Sequence, residues 1–449
     1  MTADPRSNRP FAPALAVALA LLLGGAAALI AGCDLLPSQA TSVPGAPTET
    51  PAPSQPTAVS TGTVSTTPAA TLITLTIWTT EAFSPTEAIT GGQILARQVA
   101  EMQGTRPGTQ VHFVLKKPHG KGGILDYLLT TQAVVPGLLP DVAIIDVDEL
   151  GAAVQAKVVQ PLDDLVPADL LSDLYPAARE ACTFDGLLYG LQFQADLEHL
   201  VYNTGRMTIP PSSWPGVLSN PGPYIFPAGG QAGLVNDAFL IQYLAVHPRL
   251  VQGEPGGGLL DQDSVAAVLQ YYQDGASTGI FPAAILGYHS TDDCWRDYRA
   301  GQAAMTHVRA QQYLTDRRDL ESSAPAPIPA INGPAAPIDR GWALALITAD
   351  ASREPAAVEF MLRVMAPETN AAWNLAANSL PTRQAALALW NQEDSYVPFI
   401  GQQLLAARPR PPVANYTQVA AALQSAVESV LSGEASPEDA AAAAVASIP

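Results

Sequence analysis

Hydrophobic and polar positions divide the 449-residue chain into three stretches. Residues 11–30 form a nearly unbroken apolar run, and residues 35–70 are Pro, Ser, Thr, Ala and Gly with almost no large apolar side chains. From about residue 71 the pattern becomes periodic. In "LITLTIW", Ile73, Leu75 and Ile77 alternate with Thr74, Thr76 and Trp78, the period of a strand. Ile94, Leu95, Val99 and Met102 recur at helical spacing, and Gly104-Thr105-Arg106-Pro107-Gly108 then marks a turn. "QVHFVL" (110–115) predicts a second strand and residues 124–129 a second helix. The unbroken 142–145 run in "PDVAIID" suits a strand buried on both faces of a parallel sheet. Leu150, Val154 and Val158 then return to helical spacing, so strand and helix alternate in the manner of an α/β fold.

Later segments carry the same signals. "PYIFPAGG" predicts a strand and loop, and Val265, Val268, Leu269 and Tyr272 a helical stripe. Residues 352–355 open a helix that would bury Phe360, Met361 and Val364. Ser436-Pro437-Glu438-Asp439 combines an N-cap serine, a proline at the first helical position and early acids.

The length of the periodic region, 71–449, exceeds what a single core usually reaches, so two lobes are expected. The chain has 22 Lys and Arg against 41 Asp and Glu, a net charge of -19. That balance argues against a nucleic-acid partner and against docking on anionic lipid through basic patches.

The apolar run is read from its flanks. Arg6 and Arg9 precede it and the small residues Ala31 and Gly32 follow it, the layout of an export signal. Ile30-Ala31-Gly32-Cys33 resembles the lipobox of bacterial lipoproteins, which implies a signal peptide over 1–32 and lipidation at Cys33. Several acyl chains anchor a protein stably where one does so only marginally. Residues 33–70 cannot bury enough surface to offset their ordering entropy, and are expected to be a disordered tether that gives the folded part reach.

In open α/β sheets ligands collect beyond the carboxyl ends of the strands, which makes Trp78, Thr79, Thr80, Glu81, Asp146 and Asp148 candidates by position. The ordinary alternatives are packing for the Trp and helix capping for the Asp residues. Catalytic signatures are missing from the sequence: there is no GxSxG elbow and no HExxH pair. "HGKGG" (119–123) lacks the leading glycine and the Ser/Thr of a phosphate loop, and reads as a turn. Adjacent acids at Asp163-Asp164 and Asp292-Asp293 suit capping and solvation, so no enzyme is expected.

Four segments occur in a characteristic order: "PDVAIIDVDELGAAVQAKVVQPLDDL", "FDGLLYGLQFQADLEHLVYNT", "YRAGQAAMTHV", and "GWALALITADASREPAAVEFMLRVMAPETNAAWN" with "LPTR". Together they resemble extracellular solute-binding protein family 1, the capture lipoproteins of ABC importers, among them maltose- and oligosaccharide-binding proteins. The resemblance implies two α/β lobes that close about a hinge on solute in the cleft between them. It puts crossings at 192–196, 303–308 and 341–347. The first lobe would comprise 71–195 and 306–340, the second 196–305 and 341–449. Members commonly have proline just after the "YGL" stretch, where this chain has Gln192.

The resemblance also implies a function: a monomeric receptor, lipid-anchored on the outer face of the cell membrane, passing a small solute to permease subunits of an ABC importer. Carbohydrate is the favoured solute. A glycerol phosphodiester, polyamine or peptide, a sensing role, or a scaffold that binds nothing are the alternatives. No cofactor or metal is implied. Neutral sugars are held by aromatic stacking and by hydrogen bonds from polar and charged side chains. The candidate ligand-binding residues are therefore Trp78, Glu81, Asp146, Asp196, Glu198, Arg309, Arg340, Trp342 and Arg383. Cys182 and Cys294 fall in different lobes on this mapping, so a disulfide would restrain closure, and two buried thiols are expected instead.

Overall fold

A computed structural model describes residues 72–86, 91–247, 260–411 and 415–448. The expected signal peptide, Cys33 and the tether lie outside these residues. Among the described residues no helix is long and apolar enough to cross a membrane.

Nine strands form one mixed sheet: β1 (Ile73–Thr79), β2 (Thr109–Leu115), β3 (Val142–Asp146), β4 (Leu191–Asn203), β5 (Tyr224–Ile225), β6 (Met305–Arg309), β7 (Ser323–Ala326), β8 (Ile338–Leu346) and β9 (Arg408–Pro409). Their order is β2-β1-β3-β8-β4-β6-β5, with β9 on β8 and β7 on β4. β1 is parallel to β2 and β3, whereas β8 runs antiparallel to both β3 and β4. Val142, Ala143, Ile144 and Ile145 are all buried, as their unbroken apolar run predicts.

The predicted helices form where periodicity and caps direct them. Gly92–Thr105 buries Leu95 and Met102, and Gln262–Ser277 buries Val265, Val268, Leu269 and Tyr272. Pro437–Ala446 begins at Ser436, whose Oγ accepts the Asp439 amide at 3.1 Å. The acids at 292–293 occupy the first turn of the helix Thr291–Arg299.

β4 spans thirteen residues and joins two separate hydrophobic cores. Its first half pairs with β8 and its second half with β6 and β7. Phe193 belongs to one core and Ala195 to the other. The strand register slips at this point, between Trp342 and Ala343, so Phe193 bulges out of the β4–β8 ladder. The Phe193 carbonyl oxygen accepts hydrogen bonds from Asn370 Nδ2 at 2.6 Å and Asn374 Nδ2 at 2.9 Å instead. Gln192, where family members commonly have proline, donates from Nε2 to the carbonyl oxygens of Gln194 at 3.2 Å and Arg340 at 3.4 Å, tying the two strands together. A proline there could offer no side-chain donor.

The core memberships correct the expected lobe limits. Val308, Ala326 and Ile338, expected in the first lobe, pack in the second core, because β6 and β7 pair with the second half of β4. Leu344, Phe360 and Met365, expected in the second lobe, pack in the first core, because residues 342–346 of β8 pair with β3. Residues 303–308 are accordingly no crossing. The chain touches the second core at Tyr175, Ala177 and Ala178 and returns to the first by Cys182, then passes between cores along β4, along β8, and again around the helix Pro367–Ala376, where Trp373 joins the first core and Ala371 the second.

Candidate functional site: the cleft between the cores

A cleft of about 1220 Å³ opens where the two cores meet. The first core contributes the turn 80–83 after β1, Leu115, Lys116 and Lys117 at the end of β2, and Tyr127. Gln194 on β4 and Trp342 on β8 form the hinge side, and Gln311, Trp373 and residues 376–379 close the remainder. The cleft thus lies beyond the carboxyl ends of parallel strands β1 and β2, where such sheets place ligands.

Four aromatic side chains wall it. Phe83 lies with its ring centroid 5.0 Å from that of Trp342 and 5.4 Å from that of Trp373. Tyr127, 40% exposed, also lines it. Lys116 Nζ sits 4.0 Å from the Tyr127 ring centroid and 4.7 Å from that of Trp78, so the ammonium is held between two ring faces. Two residues of the cleft lining each carry a polar atom that is covered from solvent and has no hydrogen-bond partner among the described residues: the indole Nε1 of Trp373 and the amide Oε1 of Gln194. Gly91 faces the Trp373 indole, where any Cβ would fall 2.5 Å from Nε1.

The sequence candidates divide. Glu81 and Trp342 line the cleft. Asp146 caps the helix Val147–Gln155, with Oδ1 accepting the Asp148 amide at 2.8 Å, and lies 3.6 Å from His119 Nε2. The His119 ring stands 5.6 Å from that of Trp342, but neither Asp146 nor His119 lines the cleft. Burial, reinforced by Asp148, pushes the Asp146 carboxyl up to about 6. A hydrogen bond to Glu149 raises His119.

Nor do the other six line it. Trp78 packs in the first core beneath Lys116. Asp196 is buried with Oδ1 accepting the amides of Leu197 at 3.0 Å and Gln311 at 3.1 Å, so it positions a cleft residue. Burial pushes its carboxyl up to about 6. Glu198 is bound inside the second core to His307 Nδ1 at 3.0 Å, and His307 Nε2 meets the Tyr224 hydroxyl at 2.7 Å. Arg309 precedes the helix Ala310–Asp316 and is held charged by Asp196 and Glu198 against the effect of burial. Arg383 donates to Asp173 at 2.6 Å and to the Met365 carbonyl at 2.8 Å, a structural clamp. Arg340 stands two residues before Trp342 on β8 and pairs with Asp237 and Asp148. The reason is common to all six: position in the sequence pattern does not fix which way a side chain points.

Missed by sequence reasoning were Phe83, Lys116, Tyr127, Gln194 and Trp373. Gln194 carried a legible signal, a polar residue inside an otherwise apolar hinge strand, and Trp373 lay within the quoted "NAAWN" segment. Among the described residues no group of three or more His, Cys, Asp or Glu could hold a metal ion. Cys182 and Cys294 are free buried thiols in separate cores, and burial pushes Cys182 up to about 12.

Residues 126–396, more than half of the chain, match the family model for bacterial extracellular solute-binding proteins. The chain belongs to that family. Its members are non-enzymatic substrate-binding proteins, so this is an extracytoplasmic solute-binding protein of the ABC importer type. Solved structures share its two-lobed fold. The cyclic α-maltosyl-1,6-maltose binding protein of Arthrobacter globiformis aligns with TM-score 0.65 and 20% identity over 84% of this chain and 98% of that one. The sugar-binding protein MalE of Xanthomonas citri aligns with TM-score 0.67 and 18% identity over 84% and 96%. In sequence, the maltotriose-binding protein of Pyrococcus abyssi is 33% identical over 82 residues, 18% of each chain.

Proposed function

We propose that this solute-binding protein captures a short oligosaccharide in the cleft and hands it to the permease of an ABC importer, tethered to the membrane through a lipid on Cys33. The observation that carries the sugar reading is a pair of atoms on cleft-lining residues, Trp373 Nε1 and Gln194 Oε1, which have no partner among the described residues and are covered in the free protein, so that parting of the lobes would uncover them for solute. One is a donor and the other an acceptor. A hydroxyl group is both, so a polyhydroxylated solute completes each without stranding a charge, and leaving such groups bare costs about 1–3 kcal/mol apiece. Rings such as Trp342 and Tyr127 suit the flat C–H faces of a pyranose. The maltotriose-binding relative supports the same class.

Thermal unfolding of the full-length chain with maltose, maltotriose, glycerol phosphate, spermidine and a tripeptide tests this. A solute at 100 times its Kd stabilises the native state by about 2.7 kcal/mol. A shift with the saccharides alone is expected. A shift confined to one of the other solutes would overturn the sugar reading. Mass spectrometry of membrane-extracted protein tests the tether: a chain beginning at acylated Cys33 is expected, and intact residues before it would refute it.

A further inference from the structure

Beyond Trp342 the cleft gives way to a cluster of four charges. Arg340 Nε and Arg410 Nη2 each donate to one carboxylate oxygen of Asp237, a buried residue in the first turn of the helix Asp237–Val246. The Arg410 guanidinium also lies 5.1 Å from the Tyr416 ring centroid. Asp237 and Tyr416 belong to elements packed on the second core, and Arg410 directly follows β9, which pairs with the β8 residues Ile338 and Asp339. Two guanidinium groups on one carboxylate leave a positive charge uncompensated on this side. Asp148 supplies the balance from the other side. It sits in the first turn of Val147–Gln155, a helix of the first core, and its Oδ2 lies 3.3 Å from Arg410 Nη1 and 3.8 Å from Arg340 Nη1.

The geometry points to Asp148 as a positioning residue for solute capture: its carboxylate docks in the Arg340–Arg410 socket and holds the two lobes together at one end of the cleft. Asp148 is the one member of the cluster that comes from the first core, so separation of the lobes must withdraw it from both guanidinium groups. Asp237 stays behind and keeps the arginines in place, which makes the socket a permanent feature of the second lobe. The contact is partly exposed, with Asp148 26% and Arg340 31% accessible in their side chains, so salt weakens it while leaving the buried Asp237 pairing largely intact. The proposal takes the cleft from the preceding section as the solute site, but its test uses no solute, so the two readings fail separately.

Acrylamide quenching of tryptophan fluorescence in the full-length chain is the experiment. Trp78, Trp214, Trp295, Trp373 and Trp390 are buried, whereas Trp342 is partly exposed and lines the cleft, so quenching reports its opening. Asp148→Asn is expected roughly to double the quenching constant at about 50 mM sodium chloride, as a hinge opening would. Wild type should approach the same value at about 1 M, where the screening length is about 3 Å, while Asp148→Asn should not respond. A Trp342→Phe background should shrink the difference, leaving only what Trp373 on the same cleft reports. Equal quenching of folded Asp148→Asn and wild type at low salt would overturn the proposal. So would an identical response of both to salt, and the wild-type titration alone decides if the variant does not fold.

Discussion

Gly341 and Gln194 approach so closely across β8 and β4 that a Cβ on Gly341 would fall 1.9 Å from the Gln194 carbonyl oxygen. No side chain fits there. The Gly-Trp pair thus has two separate duties, with Gly341 letting the crossing strands meet and Trp342 facing the cleft. Gly341→Ala must push the strands apart against backbone, and overpacking of this kind costs about 1–3 kcal/mol. Urea unfolding of wild type and variant measures it. An unchanged midpoint would show that the hinge strands separate freely.

Trp373→Phe separates binding from stability. It keeps a ring beside Phe83 and removes an N–H that has no partner among the described residues. Stability should therefore hold within about 1 kcal/mol, while affinity for maltotriose falls about tenfold through loss of a hydrogen bond to hydroxyl. Gln194→Met should weaken binding similarly. Calorimetric titration beside thermal unfolding provides both numbers, and unaltered affinity in both variants would remove these atoms from the site.

Asp196 gives the protein a pH signature. Its folded-state carboxyl titrates at about 6 because of burial, above the ordinary 3.8. The folded chain therefore holds this proton more tightly than the unfolded chain. The contribution to stability is greatest below about pH 4, declines as pH rises to about 6, and is constant above. Asp196→Asn keeps an acceptor for the Leu197 and Gln311 amides and does not ionise. Relative to wild type it should gain up to about 2 kcal/mol between pH 4 and 6, a little under the limit set by two units of pKa. Urea midpoints at pH 4, 5, 6 and 7 check the trend, and a difference independent of pH would refute it.

Neither Cys182 nor Cys294 should react with Ellman's reagent in the native state. Both are fully buried, and burial disfavours the thiolate that attacks. Their labelling rate should follow unfolding, rising with urea through the transition. Rapid labelling of either thiol in buffer would show that its core opens locally.

The periodic signals carried much of the architecture. The strand of Ile73, Leu75 and Ile77, the doubly buried 142–145 run and the Ser436 cap are each decided by neighbours within a few residues, and all three formed as read. The long β4 crossing was legible at Gln192 to Asp196 as well. What failed was the assignment of later segments to lobes. β6 reads as an apolar strand whichever core it joins, and only its pairing with the second half of β4 decides.

Among single residues the same division holds. Chemical type marked Glu81 and Trp342 as cleft residues, but it marked Glu198 and Arg383 equally, and their partners His307 and Asp173 lie 109 and 210 positions away. The linear order of apolar and polar residues determined the alternation of strands and helices and the family pattern, because each depends on local spacing. Tertiary structure alone decided which charged groups neutralise one another and which buried polar atoms are left without a partner among the described residues. Hydrogen bonds and ion pairs between distant segments are settled by the packing of whole elements, and no local pattern encodes them.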